Sequence, residues 1–157
     1  MEDLSIAVVG ATGAVGQEFI NIVETRYPKA NNLRLLASER SAGKIISVNG
    51  KDLKVEETTE ESFKGIDIAF ISVSSEISHK FAPIAVSSGA VVIDDGSAFR
   101  MEPTVPLVVP EVNGSDVDWH QGIISIPNCS TTPLVMVAHP LRPVSYTHLT
   151  LPTNREV

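Results

Sequence analysis

The sequence predicts an α/β fold built on a mainly parallel sheet. Short apolar segments, typical of strands buried on both faces, alternate with segments whose apolar residues recur at helical spacing. Glycine or serine turns separate the two kinds of segment. The chain has 157 residues, 43% of them hydrophobic and 20% charged, so it can bury a core without disulfides or metal. We therefore expect parallel strands joined by helices that cover both faces of the sheet.

The expected elements alternate along the chain as strand, turn and helix. Pro28 limits the first helix, because the residue before a proline disfavours the helical conformation. Ser74 and Ser75 suit the start of a second helix, and Gly89 suits its end. The expected strands are 4–9, 33–37, 66–73, 90–93 and 122–126, with a small edge strand at 51–55. The expected helices run from 17 towards Pro28, over 75–88 and over 133–139, and 94–113 is expected to be a long structured loop.

The charge and the cysteine content argue against several classes of function. Twelve Lys and Arg against nineteen Asp and Glu give a net charge of −7, which disfavours general nucleic-acid binding and docking on anionic membranes. A single cysteine, Cys129, excludes an intramolecular disulfide and a multi-cysteine metal site, and no other metal-ligand spacing occurs. The acidic N-terminus is unlike a secretory leader, and the apolar stretches are shorter than the roughly 20 residues that span a bilayer. We expect a cytoplasmic protein with a small-molecule ligand and no metal, nucleic-acid or membrane partner.

A glycine-rich turn, Gly10-Ala-Thr-Gly-Ala-Val-Gly16, lies between the first strand and the first helix. Glycines allow a tight turn and a close approach of backbone N–H groups to an anion. The start of the helix adds unpaired N–H donors and a partial positive charge, which suit a pyrophosphate. This context predicts a Rossmann-like nucleotide site, and an ordinary glycine turn is the alternative. The candidate cofactor residues in the turn are Gly10, Thr12, Gly13, Ala14, Val15 and Gly16.

The loop after the second strand bears on the choice of nucleotide. A site for NAD usually has an acidic residue at the end of this strand, where it holds the ribose 2′-hydroxyl. Here the strand ends at Ala37, and Ser38, Arg40 and Ser41 follow. Hydroxyls and cations suit a 2′-phosphate, so the loop favours NADP over NAD. Glu39 opposes this interpretation, and a solvated loop is the alternative.

Cys129 is the candidate nucleophile. It lies in Pro127-Asn-Cys-Ser-Thr-Thr132, a turn between the last strand and the last helix. The start of a helix favours the thiolate, and its backbone N–H groups can stabilise an oxyanion. The alternative is a buried structural cysteine, which is common for a lone cysteine but is disfavoured by the polar neighbours.

Arg100 and the histidines complete the set of candidates. Arg100 ends the segment Val92-Ile-Asp-Asp-Gly-Ser-Ala-Phe-Arg100, where it either binds a phosphate or carboxylate bidentately or lies on the surface. His139 follows Cys129 by ten positions on one expected helix, about 15 Å of rise away, which is too far for it to act as the base of that thiol. His79 and His120 are expected at the surface or in loops.

Five segments, in order, resemble those of aspartate-semialdehyde dehydrogenases. The resemblance covers residues 4 to about 142, and in the third segment Asp95 and Gly96 replace the Asn and Ser usual in that family. The segments are Gly10–Gly16, Phe70-Ile-Ser-Val-Ser-Ser75 with Ala82-Pro83, Val92–Arg100, Val105-Pro-Leu-Val-Val-Pro-Glu-Val-Asn113 and Pro127-Asn-Cys-Ser-Thr131.

The resemblance implies an NADPH-dependent reductive dephosphorylation of β-aspartyl phosphate, which gives aspartate semialdehyde and phosphate. In that family the activity feeds the biosynthesis of lysine, threonine and methionine. The resemblance further implies that Cys129 forms a thioester, that Asn128 orients the acyl group and that Arg100 binds phosphate. Ser72 lies in the segment that resembles a further cofactor contact.

The family also has a second, catalytic and dimerisation domain, whose base and substrate-carboxylate residues have no assignable counterpart here. We therefore expect residues 1–143 to be the NAD(P)-binding domain, ending in the nucleophile helix, with the second domain absent and the fragment inactive. The full-length protein is expected to be a homodimer or a dimer of dimers. Residues 144–157 do not resemble the family's continuation and are expected to be a non-native or disordered tail, with a divergent native end as the alternative.

Two other functions stay open at this point. One is an enzyme like N-acetyl-gamma-glutamyl-phosphate reductase, which shares the fold and the cysteine chemistry but fits the glycine turn and the Ser-Ala-Phe-Arg segment less well. The other is a non-catalytic nucleotide-binding module.

Overall fold

A computed structural model describes residues 4–27 and 32–141 of the chain. It contains eight strands and four α-helices within these residues. The strands are β1 (Ile6–Val9), β2 (Leu33–Ala37), β3 (Ile45–Val48), β4 (Lys51–Lys54), β5 (Glu56–Glu57), β6 (Ile68–Ile71), β7 (Val91–Asp94) and β8 (Ile123–Ser125). The helices are α1 (Ala14–Arg26), α2 (Ser75–Ser87), α3 (Pro110–Asn113) and α4 (Thr131–Ala138).

Six of the strands form one parallel sheet in the order β5-β2-β1-β6-β7-β8. Counted along the chain within this sheet, the order is third, second, first, fourth, fifth and sixth, which is that of a doubly wound Rossmann fold. The order reverses between β1 and β6, where a crevice opens at the carboxyl ends of the strands. The predicted fold class is therefore confirmed.

Each face of the sheet carries its own apolar core, as expected for parallel strands. On one face α2 contributes Phe81 and Ala85, which pack with Val9 and Ile71 of the sheet. On the other face α1 contributes Ile20, and the ring of Phe19 stacks on that of Phe70 with centroids 4.1 Å apart. These two helices hold the strand ends in place beneath the loops described below.

A small hairpin differs from the prediction. The strand expected at the sheet edge is β4, which instead pairs antiparallel with β3 in a separate two-stranded sheet, while β5 takes the edge beside β2. Asn49 and Gly50 have φ of 52° and 73°, the conformation of a tight hairpin turn that an Asn-Gly pair favours. The apolar side of the hairpin packs on the α1 face of the core through Ile46, Val48 and Leu53. These apolar contacts stabilise the hairpin in this position.

Several boundaries also differ from the prediction. Helix α1 begins at Ala14 rather than at 17, and α4 begins at Thr131 rather than at 133. Asp94 belongs to β7, because it pairs with Ser125 of β8, and the expected loop after it contains α3. Ser74 stands at the start of α2 but makes no capping bond with its side chain. The predicted tail, 144–157, lies outside the described residues.

None of the helices in the described part of the chain combines the length and the apolar character that a bilayer crossing requires. Within the same residues, no group of three or more His, Cys, Asp or Glu side chains is arranged to hold a metal ion.

Candidate functional site

An open cleft of about 460 Å³ lies at the carboxyl edge of the sheet, where the strand order reverses. It is bounded by the glycine turn, by the loop after β2, by the end of β5 and by the start of α2. Its lining residues are Val9, Gly10, Thr12, Gly13, Ala37, Ser38, Glu39, Arg40, Ser41, Glu57, Thr58, Ser72, Val73, Ile77, Lys80 and Phe81. The topology alone makes this the expected place for a nucleotide.

The glycine turn is shaped by two very close backbone approaches. Gly10 has φ of +91°, and a Cβ there would stand 2.3 Å from the carbonyl oxygen of Ser72. A Cβ on Gly16 would stand 2.3 Å from the carbonyl oxygen of Gly10. Both contacts are far shorter than real Cβ atoms allow, so only glycine lets β1, β6 and α1 meet at this point.

The N-terminal end of α1 adjoins the cleft, which Gly13 lines. Gly13 is its N-cap, and no acidic residue lies in the first turn. The amide of Gly13 donates to the Gly10 carbonyl, so the free N–H groups belong to the residues that follow it. With a partial positive charge at this end of a thirteen-residue helix, the turn fits a pyrophosphate.

The loop after β2 forms one wall of the cleft, to which it contributes the acidic Glu39 and the basic Arg40. Ser38, Glu39 and Arg40 are exposed, whereas Ser41 is buried beneath them. Lys80 of α2 is a further cation of the lining, and its ammonium lies 4.9 Å from the ring centroid of Phe81. Sequence reasoning missed Lys80, which helical spacing from Ser74 places on the turn of α2 next to Ile77.

Cys129 lies outside this cleft, in the turn between β8 and α4, and it is exposed. Its Sγ lies 3.6 Å from Oδ1 of Asn128, to which the thiol donates. The same oxygen accepts from the backbone N and from Oγ of Ser130, at 2.9 Å and 2.7 Å. The Asn128 carbonyl accepts from the amides of Thr131 and Thr132, which explains why α4 begins two residues earlier than expected. The turn therefore presents the thiol to solvent rather than burying it.

Arg100 connects the segment after β7 with the residues just before the cysteine turn. Its Nη2 donates to the carbonyl of Asp95 at 2.9 Å, and its Nε donates to the carbonyl of Ile126 at 3.0 Å. Asp95 in turn accepts from Oγ of Ser72, at 3.0 Å from its Oδ2. The segment after β7 thus contacts the cofactor side through Ser72 and the cysteine turn through Ile126.

The predicted residues therefore fall into four groups. The cleft brings together Gly10, Thr12, Gly13, Ser38, Arg40, Ser41 and Ser72. Ala14, Val15 and Gly16 begin α1 and do not line the cleft, and Gly16 is buried against Gly10. Asn128 and Cys129 form the separate turn, and Arg100 is half-buried between the two.

None of the histidines in the described residues bonds to Cys129. His79 packs edge-on against Phe99 with ring centroids 4.9 Å apart. His120 uses its Nδ1 to accept from the amide of Gly122. His139 follows the end of α4.

The surroundings of Asp94 change the pKa of its carboxyl. It is fully buried at the end of β7. Burial raises the pKa of this carboxyl, and the neighbouring charge of Asp95 adds to the rise. Ser78, Arg100 and the backbone amide of Gly96 lower the pKa, but less than burial raises it.

The cleft fits a dinucleotide by the chemistry of its lining. The glycine turn brings the start of α1 to the edge of the cleft, where the helix supplies N–H donors, and Arg40 and Lys80 supply positive charge. Ile77 and Val73 add apolar surface of the kind that accepts a flat ring.

Comparisons with known proteins identify the family of this chain. Residues 5–120 match the family model described as semialdehyde dehydrogenase, NAD binding domain. Aspartate-semialdehyde dehydrogenase of Bacillus subtilis (strain 168) is 50% identical over 139 residues, which are 88% of this chain and 40% of that protein. The chain thus spans about 40% of the length of this relative.

Solved structures of similar proteins show the same fold. Aspartate semialdehyde dehydrogenase II of Vibrio cholerae, complexed with ASA, superposes with a TM-score of 0.85 at 41% identity, covering 88% of this chain and 46% of that one. The Candida albicans enzyme with NADP superposes with a TM-score of 0.70 at 28% identity, covering 90% of this chain and 48% of that one. The resemblance found in the sequence is confirmed: this chain belongs to the semialdehyde dehydrogenase family, and its residues 5–120 are the NAD-binding domain of that family.

Proposed function

We propose that this chain is the cofactor-binding and nucleophile-bearing part of an NADP-dependent aspartate-semialdehyde dehydrogenase that works in the cytoplasm. The observation that carries the proposal is the exposed Cys129 turn, which ends a strand at the same sheet edge as the nucleotide cleft. The relatives named above support the reaction class, and the Candida albicans structure supports the nucleotide. The substrate of this proposal is β-aspartyl phosphate, and the assembly is a homodimer or a dimer of dimers.

In the proposed reaction the thiolate of Cys129 attacks the acyl carbon of the substrate. A C–S bond forms, the acyl C–O bond to phosphate breaks, and inorganic phosphate leaves with the electron pair. The side-chain NH₂ of Asn128 has no partner among the described residues and is free to donate to the acyl oxygen, since only its Oδ1 is occupied. NADPH, when bound, supplies the hydride that releases the thioester as the aldehyde.

Arg100 has a double task in this proposal. Its two bonds to the carbonyls of Asp95 and Ile126 leave three guanidinium N–H donors without a partner in the described residues. Those donors suit a phosphate group. The bracing bonds hold the guanidinium still, so that less side-chain freedom is lost when the phosphate binds.

The choice of cofactor is tested at Arg40. We expect NADPH to bind more tightly than NADH by about 1–3 kcal/mol, because a charge-assisted contact to the 2′-phosphate forms only with NADPH. The variant Arg40→Glu should lose most of that difference while its affinity for NADH changes little. Both affinities are measured by titrating the nicotinamide fluorescence.

A matched control for this variant is Lys44→Glu. Lys44 is an exposed cation of the same loop but does not line the cleft, so this change alters the net charge equally without altering the site. Equal dissociation constants for NADPH and NADH in the unchanged chain would contradict the proposed cofactor.

The chain as it stands is proposed to bind cofactor without turning over. Acyl transfer needs a nucleophile, a proton acceptor and a group that holds the substrate carboxylate, and the described residues place only the first beside the site. We expect no reduction of NADP by aspartate semialdehyde and phosphate above the rate of a Cys129→Ala control. Turnover at an ordinary enzymatic rate would show that the site is complete.

The same assay separates the alternatives. Turnover with the acetylglutamyl analogue in place of the aspartyl substrate would favour N-acetyl-gamma-glutamyl-phosphate reductase chemistry. The absence of a base near Cys129 in the described residues favours a non-catalytic nucleotide-binding module for the isolated chain. Binding of NADPH with no turnover on either substrate, even when the remainder of a relative is supplied, would support that module.

A further inference from the structure

Three polar side chains form a closed cluster under the start of α2. Ser78, Asp94 and Ser125 are each 0% exposed. Asp94 and Ser125 are register partners on adjacent strands, so their side chains lie on the same face of the sheet, the face that α2 covers. We call these three residues the buried polar cluster.

The cluster is short of hydrogen bonds. Neither carboxyl oxygen of Asp94 and neither serine hydroxyl makes a bond of normal geometry within the described residues. The Ser78 hydroxyl and the Gly96 amide are near enough to favour the charged carboxylate, but only as poorly aligned neighbours. Unpaired polar groups at this depth are costly, so their position at the strand ends calls for a functional explanation.

Asp94 begins the segment that connects the two halves of the site. Its backbone carbonyl accepts from the amide of Ile126 at 3.1 Å, just before the cysteine turn. The next residue, Asp95, holds Ser72 of the cofactor cleft and accepts from Arg100. Asp94 and Asp95 together therefore contact both the cysteine turn and the cofactor cleft.

We propose that Asp94 is a positioning residue whose buried side chain, with Ser78 and Ser125, sets the path of residues 94–100 and so aligns the cofactor cleft with the cysteine turn. The alignment with a cofactor cleft rests on the proposed function, whereas the packing of the buried polar cluster does not. The role requires the shape of the side chain and its packing beside Ser78 and the Gly96 amide, not a negative charge.

Charges around the cluster set the expected pH dependence. The charged groups that face Asp94 are Asp95 and Arg100 of the following segment, and α2 and β8 face it with the hydroxyls of Ser78 and Ser125. The pKa of Asp94 is higher in the folded state than its ordinary value of 3.8, so the protonated carboxyl stabilises the fold. This stabilisation is complete below pH 3.8 and is lost as the pH rises through the folded-state pKa. A neutral side chain of the same shape should avoid that loss.

Gly96 offers a second, independent handle on the cluster. A Cβ at this position would stand 3.2 Å from Oδ1 of Asp94, and its φ lies outside the positive range that only glycine favours. The variant Gly96→Ser would place a hydroxyl donor beside the carboxyl. The variant Gly96→Ala carries the same steric cost without the donor and is the matched control.

The experiment compares urea unfolding of the full 157-residue chain at pH 4 and pH 8. We expect Asp94→Asn to have a higher urea midpoint than the unchanged chain at pH 8. This difference between the two midpoints should be smaller at pH 4. We also expect the urea midpoint of Gly96→Ser to be higher than that of Gly96→Ala at pH 8. A difference between Asp94→Asn and the unchanged chain that is the same at both pH values, or a Gly96→Ser variant no better than Gly96→Ala, would overturn the inference.

Positioning is tested separately from stability. At 25 °C and without urea, Asp94→Ala should weaken NADPH binding and change the alkylation rate of Cys129, each by about fivefold or more. The variant Asp94→Asn should keep both within about twofold of the unchanged chain. An Asp94→Asn variant as impaired as Asp94→Ala would contradict the role. If Asp94→Ala does not fold, the Asn and Gly96 variants carry the test. Failure of the unchanged chain to bind NADPH would count against the proposed function alone, because the alkylation rates of Cys129 in the Asp94→Ala and Asp94→Asn variants still decide the inference.

Discussion

The variant Gly10→Ala is expected to lose cofactor binding and about 3 kcal/mol or more of folding stability. The φ of +91° disfavours any side chain, and the added Cβ would collide with the Ser72 carbonyl, 2.3 Å away. Relief of this contact must push β1 and β6 apart at their carboxyl ends, which is where the cleft lies. The measurement is urea unfolding together with an NADPH titration.

Gly89 provides the control for this variant. It has φ of +97° at the end of α2, but nothing lies within 4 Å of the position of its Cβ. Gly89→Ala therefore carries the conformational strain alone, about 1–2 kcal/mol, and should leave NADPH binding unchanged. Similar losses of stability and of NADPH binding in the two variants would mean that the close approach to Ser72 is not the reason why position 10 requires glycine.

The second large effect is expected at Arg100. Arg100→Leu removes charge-assisted bonds to the carbonyls of Asp95 and Ile126, and we expect a loss of about 2–4 kcal/mol together with a changed alkylation rate of Cys129. Arg100→Lys keeps the charge, but a single ammonium replaces the planar fork that reaches both carbonyls, so most of the loss should remain. The measurements are urea unfolding and the rate of reaction with iodoacetamide.

Arg34 is a matched control at the opposite edge of the sheet. Its guanidinium also donates to two backbone carbonyls, those of Ser62 and Lys64, at 2.7 Å and 3.3 Å. Arg34→Leu should therefore reduce the stability of the fold without changing the alkylation rate of Cys129. If Arg34→Leu changes the alkylation rate as much as Arg100→Leu does, the bracing role of Arg100 is wrong and the rate follows general loosening of the fold.

The glycine turn shows what local sequence can predict. Its residues follow an apolar run that becomes β1 and precede the apolar spacing that becomes α1, so the turn and its place between strand and helix were predicted from one short segment. The choice of glycine at 10 and 16 depends on contacts within that segment and with Ser72, and these distances explain the pattern.

The hairpin shows where the same reasoning failed. Residues 51–55 were expected at the edge of the main sheet because their pattern suits a strand, but a pattern does not name the partner strand. The pairing with β3 depends on the Asn49-Gly50 turn and on the apolar contacts of Ile46 and Leu53 with the α1 face. Lys80 was missed for a similar reason, since only the packing of α2 against the sheet places it in the cleft.

The sequence by itself determined the fold class, the position of the nucleotide turn, the candidate nucleophile and the family. These depend on short-range periodicity and on motifs whose residues are neighbours along the chain. Only the tertiary structure decided that Arg100 braces Asp95 against Ile126, that Asp94 is buried with Ser78 and Ser125, and that Cys129 is exposed outside the cleft. These arrangements join residues far apart in sequence, and their burial and hydrogen bonding arise only when the parallel strands align in register.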